Sequence, residues 1–140
     1  MEYIDFKKLV DALTAKSKET EWVEFKHNFH SNEEIGERIS ALSNSAYLCN
    51  MPFGYIVFGI DDGTHDVIGT DLYATRKKVG NEELESWLSM RLNPRIDFEI
   101  IDDFDYEDKG HVCIFKIPAT TNRPVSFFCL LYTSDAADDK

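Results

Sequence analysis

The chain has little cysteine. Cys49, Cys113 and Cys129 make an odd count with no CxxC pair. That argues against a disulfide framework and leaves a reducing cytoplasm as the expected compartment. No apolar stretch approaches the ~20 residues needed to span a bilayer, so no membrane partner is expected. The start, MEYIDFKKL, has no basic region followed by an apolar run, and no signal peptide is expected. Internal repeats and low-complexity linkers are also absent. Positive charge is scarce: 15 Lys and Arg stand against 26 Asp and Glu, a formal net charge of -11. This disfavours a simple polyanion binder, because nucleic-acid affinity rests on neutralising phosphates.

What is present is one domain's worth of chain, 140 residues with a globular composition. That length buries enough apolar surface to fold without metal or disulfide. The charge is uneven. Asp102 to Asp108 (DDFDYED) holds five acids, and Arg76-Lys77-Lys78 is the cleanest basic cluster. A local positive groove on an acidic body is compatible with this pattern.

Periodicity places the elements. Ile4 to Lys16 has Phe6, Leu9, Val10 and Leu13 on one helical face. Trp22 to Lys26 reads as a strand. Ser31-x-x-Glu34 is a capping box opening a helix with Ile35, Ile39, Leu42 and Ala46 inward. Tyr55 to Ile60 is the most apolar strand and is expected to be central. Asp62-Gly63 is a turn signal, with Val67-Ile68 returning as a short strand. Asn81 is expected to cap a helix carrying Leu84, Trp87, Leu88 and Leu92, stopped at Asn93-Pro94. Ile96 to Ile101 and His111 to Ile117 form a hairpin, and TNRPVSFF a loop and last strand. Gly59 inside a strand predicts a bulge or a close backbone approach. The result is an α+β fold: a two-layer domain whose mixed β-sheet has helices packed on it.

The acids at the first strand are the notable feature. In ETEWVEFK, alternation puts Trp22, Glu24 and Lys26 on one face and Val23 and Phe25 on the other. Glu24 thus points away from the core face, beside Lys26. Glu19 lies in the connector upstream, and Asp61 and Asp62 end the central strand. If the two strands are adjacent and parallel, these carboxylates approach one another. Clustered carboxylates repel unless cations neutralise them, which is the recipe for Mg²⁺ or Mn²⁺. The competing reading is a plain Glu24–Lys26 surface pair and a simple Asp62-Gly63 turn. His27-x-x-His30 has metal-like spacing but no further ligands at suitable positions, and reads as exposed. Cys49 and Cys113 read as packing residues. GIDDG lacks the Gly-Lys-Ser/Thr ending of a phosphate loop, so ATP is not supported by a motif.

Taken in order, ETEWVEFK, EEIGERISALSNSA, GYIVFGIDDGTHDVIGT and NRPV resemble the Schlafen AlbA-type domain. The resemblance covers about Glu19 to Val125. It implies an Alba-like fold and nucleic-acid binding, to DNA or RNA. In Schlafen ribonucleases two Glu flank this strand and an Asp follows the Gly-containing strand. Carried over, catalytic and metal-binding roles fall on Glu19, Glu24 and Asp62, with Asp61 as the alternative for the third. The resemblance implies a divalent ion for RNA cleavage. Candidate nucleic-acid contacts are Lys26, Arg76, Lys77, Lys78, Arg91, Arg95 and Arg123. Three departures stand out: Phe53-Gly54 replaces a Gly pair after a longer YLCNMP lead-in, the net charge is unusually acidic for a nucleic-acid binder, and this chain shows one copy of a core that animal Schlafen nucleases duplicate. The preferred expectation is a nucleic-acid-binding module of a bacterial transcriptional regulator or defence protein. The alternative is a metal-dependent endoribonuclease, and an ATP-binding module comes third.

The last residues, CLLYTSDAADDK, switch from apolar to small and acidic. They resemble the conceptual translation of a sequencing-library adapter. The organisation expected is therefore an N-terminal helix at 1–18, the domain at 19–128 and a non-native tail at 129–140.

Overall fold

The computed structural model describes residues 1–15, 21–29, 31–121 and 123–128. The chain begins with α1 (Tyr3–Thr14), followed by β1 (Val23–Lys26), α2 (Asn32–Leu48) and β2 (Phe53–Phe58). A 3₁₀ turn at Ala74–Arg76 precedes β3 (Lys78–Val79), β4 (Glu82–Glu83) and α3 (Leu84–Ser89). The chain then forms β5 (Leu92–Asn93), β6 (Glu99–Ile101), β7 (Cys113–Pro118) and β8 (Ser126–Phe127).

The main sheet has the order β1-β2-β7-β6. β1 pairs parallel to β2, with Glu24 opposite Ile56 and Lys26 opposite Phe58. β7 pairs antiparallel to both β2 and β6. This is the mixed sheet of an α+β fold, with the apolar β2 central as expected.

Period-two alternation divides the core between the two sheet faces. Ile56, Phe58, Cys113, Phe115 and Ile117 pack with Ile35, Ile39 and Leu42 of α2 and with Leu84 and Leu88 of α3. Val23, Phe25, Val57, Ile101 and Ile114 pack with Phe6, Val10 and Leu13 of α1. The layers therefore number three rather than two. The amphipathic N-terminal helix belongs to the same body because its apolar stripe is the cover for the second face.

Local chemistry explains the element ends. The Ser31 hydroxyl accepts from the Glu34 N–H at 3.0 Å, which is half of the expected capping box. The Glu34 carboxylate does not reach back; it turns to Lys26 instead, at 3.4 Å. The helix expected from Asn81 to Leu92 is cut to six residues. Gly80, at φ +65°, makes a turn between β3 and β4, and Leu92 is drawn into pairing with Phe127. Val67 returns only as an isolated bridge to Ile60.

Two glycines are required by close approach. A Cβ on Gly54 would lie 2.8 Å from the Leu42 carbonyl, so its absence lets α2 sit against β2. Gly59 has φ +104° and a Cβ there would lie 2.8 Å from the His111 carbonyl. The Gly59 and Ile60 N–H groups both donate to the Lys26 carbonyl, which is the bulge predicted at this position.

Candidate nucleic-acid interface

Alternation in β1 sets Glu24 on the face opposite Val23 and Phe25, as expected, but that face is covered by α2 rather than lying away from the core. Its Oε2 lies 3.5 Å from Lys26 Nζ and 3.4 Å from Arg38 Nε. Lys26 also pairs with Glu34. Glu24 is therefore neutralised by cations of its own chain, in a four-residue network over the β1 edge. Arg38 was not singled out in the sequence. Its helical position, two turns into α2, becomes meaningful only once α2 lies across β1.

Asp61 accepts from the N–H groups of Gly63 at 2.8 Å and Thr64 at 2.9 Å. The backbone N–H groups of Thr64 and then Gly63 hold its carboxyl below the usual carboxylate range. One oxygen is thus occupied in shaping the turn. Asp62 is exposed at the tip of the same turn. Glu19 lies outside the described residues, so the expected set of Glu19, Glu24 and Asp62 cannot be assembled from those alone. Among the described residues, no group of three or more His, Cys, Asp or Glu is placed to hold a metal ion. The described acids by themselves do not fit an Mg²⁺ or Mn²⁺ cage.

The candidate cations divide between two ends of the sheet. At the end where β1 finishes, Lys77 Nζ sits 4.1 Å over the Phe29 ring and Arg76 packs 4.4 Å over Tyr73. Lys78 is exposed on β3, opposite Glu83. Arg91 is half-buried: its guanidinium packs 4.1 Å over Trp87 and donates to the Trp87 carbonyl at 2.9 Å. Its Nε is buried without a hydrogen-bond partner among the described residues. That placement gives Arg91 a packing role against Trp87.

Arg95 and Arg123 lie at the opposite end, where β2 begins and β7 finishes. Both are exposed and both line one groove of about 440 Å³, with Pro94, Ile96, Asp97 and Thr121. Neither makes a salt bridge among the described residues, whereas Lys7, Lys26 and Arg38 all do. Asp97 is the one acid in that lining.

A second polar feature was missed from the sequence. His111 is buried, its Nε2 lies 3.0 Å from the Leu72 carbonyl, and its ring stacks on Tyr73 at 3.8 Å. With His27, Asn28, Thr70 and Asp105 it lines an open polar cavity of about 460 Å³. His27 is exposed, as expected, whereas His30 lies outside the described residues. Cys113 is a core residue, and burial pushes its thiol up to about 12. No helix among the described residues is long and apolar enough to cross a membrane.

Fold and site together define a class: a small α+β domain, helices on both faces of a mixed sheet, with two arginines at one end that have no salt bridge among the described residues. The Schlafen AlbA_2 family model matches residues 19–137, and the chain belongs to that family. At family level this is a nucleic-acid-binding type of domain. No curated protein matches the chain.

Proposed function

We propose that this chain is the nucleic-acid-binding domain of a bacterial transcriptional regulator or defence protein. The observation that carries this reading is the pair Arg95 and Arg123, exposed, without carboxylate partners among the described residues and lining one groove. On a chain of net charge -11, long-range attraction is weak and binding must be local. Two guanidiniums on one groove supply it, because each matches a phosphate bidentately. Fluorescence anisotropy across a salt series tests the reading. Arg95→Ala and Arg123→Ala should each weaken binding to every sequence and lower the log–log salt slope by about 1. If DNA and RNA affinities are undetectable at low salt, the reading is wrong.

The second reading is a divalent-metal-dependent endoribonuclease using Glu19, Glu24 and Asp62, or Asp61 in its place. The adjacent, parallel pairing of β1 and β2 favours it, since it sets the strand bearing Glu24 beside the strand that leads into Asp61 and Asp62. For Glu24 to ligate a metal it must first leave Lys26 and Arg38. No ATP-binding motif supports the nucleotide reading.

A further inference from the structure

Next to the arginine groove is a smaller cleft of about 220 Å³. The last turns of α2 supply Asn44, Tyr47 and Leu48, and the segment before β8 supplies Thr120, Arg123 and Pro124. The two concavities share Thr120 and Arg123. Tyr47 is 54% exposed and Leu48 82% exposed, so two large apolar side chains meet water side by side at the rim.

We propose that this cleft holds an unpaired nucleobase of a single strand whose neighbouring phosphate lies on Arg123. The inference rests on the nucleic-acid reading above and narrows it to single-stranded substrate. The argument has three steps. First, charge complementarity selects the occupant: an apolar cleft walled by an arginine with no salt bridge among the described residues suits a flat apolar group tethered to an anion. A nucleotide unit is such a group. Second, bases inside a duplex are stacked on one another and cannot enter a side pocket, whereas single-stranded bases stack on aromatic side chains. Tyr47 is the aromatic present.

Third, the polar groups of the cleft are already committed. Asn44 Nδ2 donates to the Val125 carbonyl at 3.0 Å and its Oδ1 accepts from the Val125 N–H at 2.8 Å. The Thr120 hydroxyl donates to the Arg123 carbonyl. Those bonds tie both side chains to the chain's own backbone, so neither can swing to follow one particular base edge. The cleft therefore recognises base planarity rather than identity, which is the behaviour of sequence-tolerant single-strand binders.

The test compares a labelled oligothymidylate and an oligoadenylate of about ten nucleotides, within the usual single-strand site size, with a duplex of equal length. The full chain is used, with Tyr47→Ala, Tyr47→Trp and Arg123→Ala variants. Tyr47→Ala should lower single-strand affinity roughly 5- to 150-fold, the loss of one stacked base. Duplex affinity should not change, both oligonucleotides should suffer alike, and Tyr47→Trp should restore binding. Arg123→Ala should weaken single strand and duplex together. Because Tyr47 is exposed, its variants are expected to fold, and matching thermal melts would establish that. The inference is overturned if Tyr47→Ala weakens neither substrate, or both equally. It is likewise overturned if Tyr47→Ala changes only the sedimentation of the protein, as for a cleft that holds a second copy. Duplex-only binding by the parent overturns this inference alone. Absence of any nucleic-acid binding overturns it and the proposed function together.

Discussion

Asp102 opens the acidic run DDFDYED, yet it is only 5% exposed. Its Oδ2 accepts from the Thr75 N–H at 2.8 Å and from the Thr75 hydroxyl at 2.9 Å, with Oδ1 3.0 Å from that hydroxyl. One hydroxyl proton serves only one oxygen at a time, so these are two charge-assisted bonds and not three. Each is worth about 1.5–3 kcal/mol when the acceptor is charged. Two effects reduce the sum. Thr75 is exposed, so water can take over its donors. Removing Asp102 also relieves the cost of a buried carboxylate, and no salt bridge to it is present among the described residues. The net cost of Asp102→Ala is therefore about 2–3 kcal/mol, not the full sum of about 3–6. For a chain of this size that corresponds to roughly 6–12 °C in Tm. Asp102→Asn keeps one oxygen for the Thr75 N–H and turns its amide to the hydroxyl, so it should cost about 1 kcal/mol. Urea unfolding, with Thr75→Ala as the second arm of a double-mutant cycle, measures the coupling. Hydrogen exchange at Thr75 and its neighbours should accelerate first, because this bond pair pins the 3₁₀ turn bearing Arg76. If Asp102→Ala unfolds within about 0.5 kcal/mol of the parent, burial of the carboxylate cancels its bonds and the anchoring argument fails.

Two further outcomes are expected. Asp61 is held below the usual carboxylate range by the Thr64 and Gly63 N–H groups. Its stabilising contribution is complete above the unfolded value of about 3.9 and is lost as pH falls from there through the native value. Melting temperatures between neutral pH and about pH 2 should therefore drop less steeply for Asp61→Asn than for the parent, and equal acid limbs would refute the assignment. For the nuclease reading, structured RNA incubated with Mn²⁺ should be cut by the parent and spared by Glu24→Gln. Cleavage that survives Glu24→Gln removes Glu24 from the chemistry.

Long apolar periodicities were readable because they alone decide which face is buried. The i, i+3, i+4, i+7 sets of α1 and α2 specify helices whatever they pack against, and YIVFGI has no face to expose except in a sheet interior. The third layer was harder, because a stripe on α1 announces burial without saying which surface covers it. The failed helix from Asn81 to Leu92 shows tertiary context at work. Leu84, Trp87 and Leu88 do form α3, but Gly80 starts a turn and Leu92 gains ladder bonds with Phe127 that a longer helix would forfeit. Short-range spacing cannot weigh a partner 35 residues away.

The site divides along the same line. That Glu24 shares a face with Lys26, opposite Val23 and Phe25, follows from alternation alone, but that α2 covers this face does not. Its true counter-charges required knowing where α2 lies, since Arg38 is 14 residues from Glu24. The basic residues show the limit most sharply. Arg76-Lys77-Lys78 drew attention because they are contiguous, yet two of them pack on aromatic rings. Arg95 and Arg123 are 28 residues apart and come to one groove only because β6 and the segment after β7 share an end of the sheet. Contiguity in sequence measures charge density along a chain. A phosphate is bound by charge density in space, and in this fold the cations contiguous in sequence and those sharing one groove are different residues.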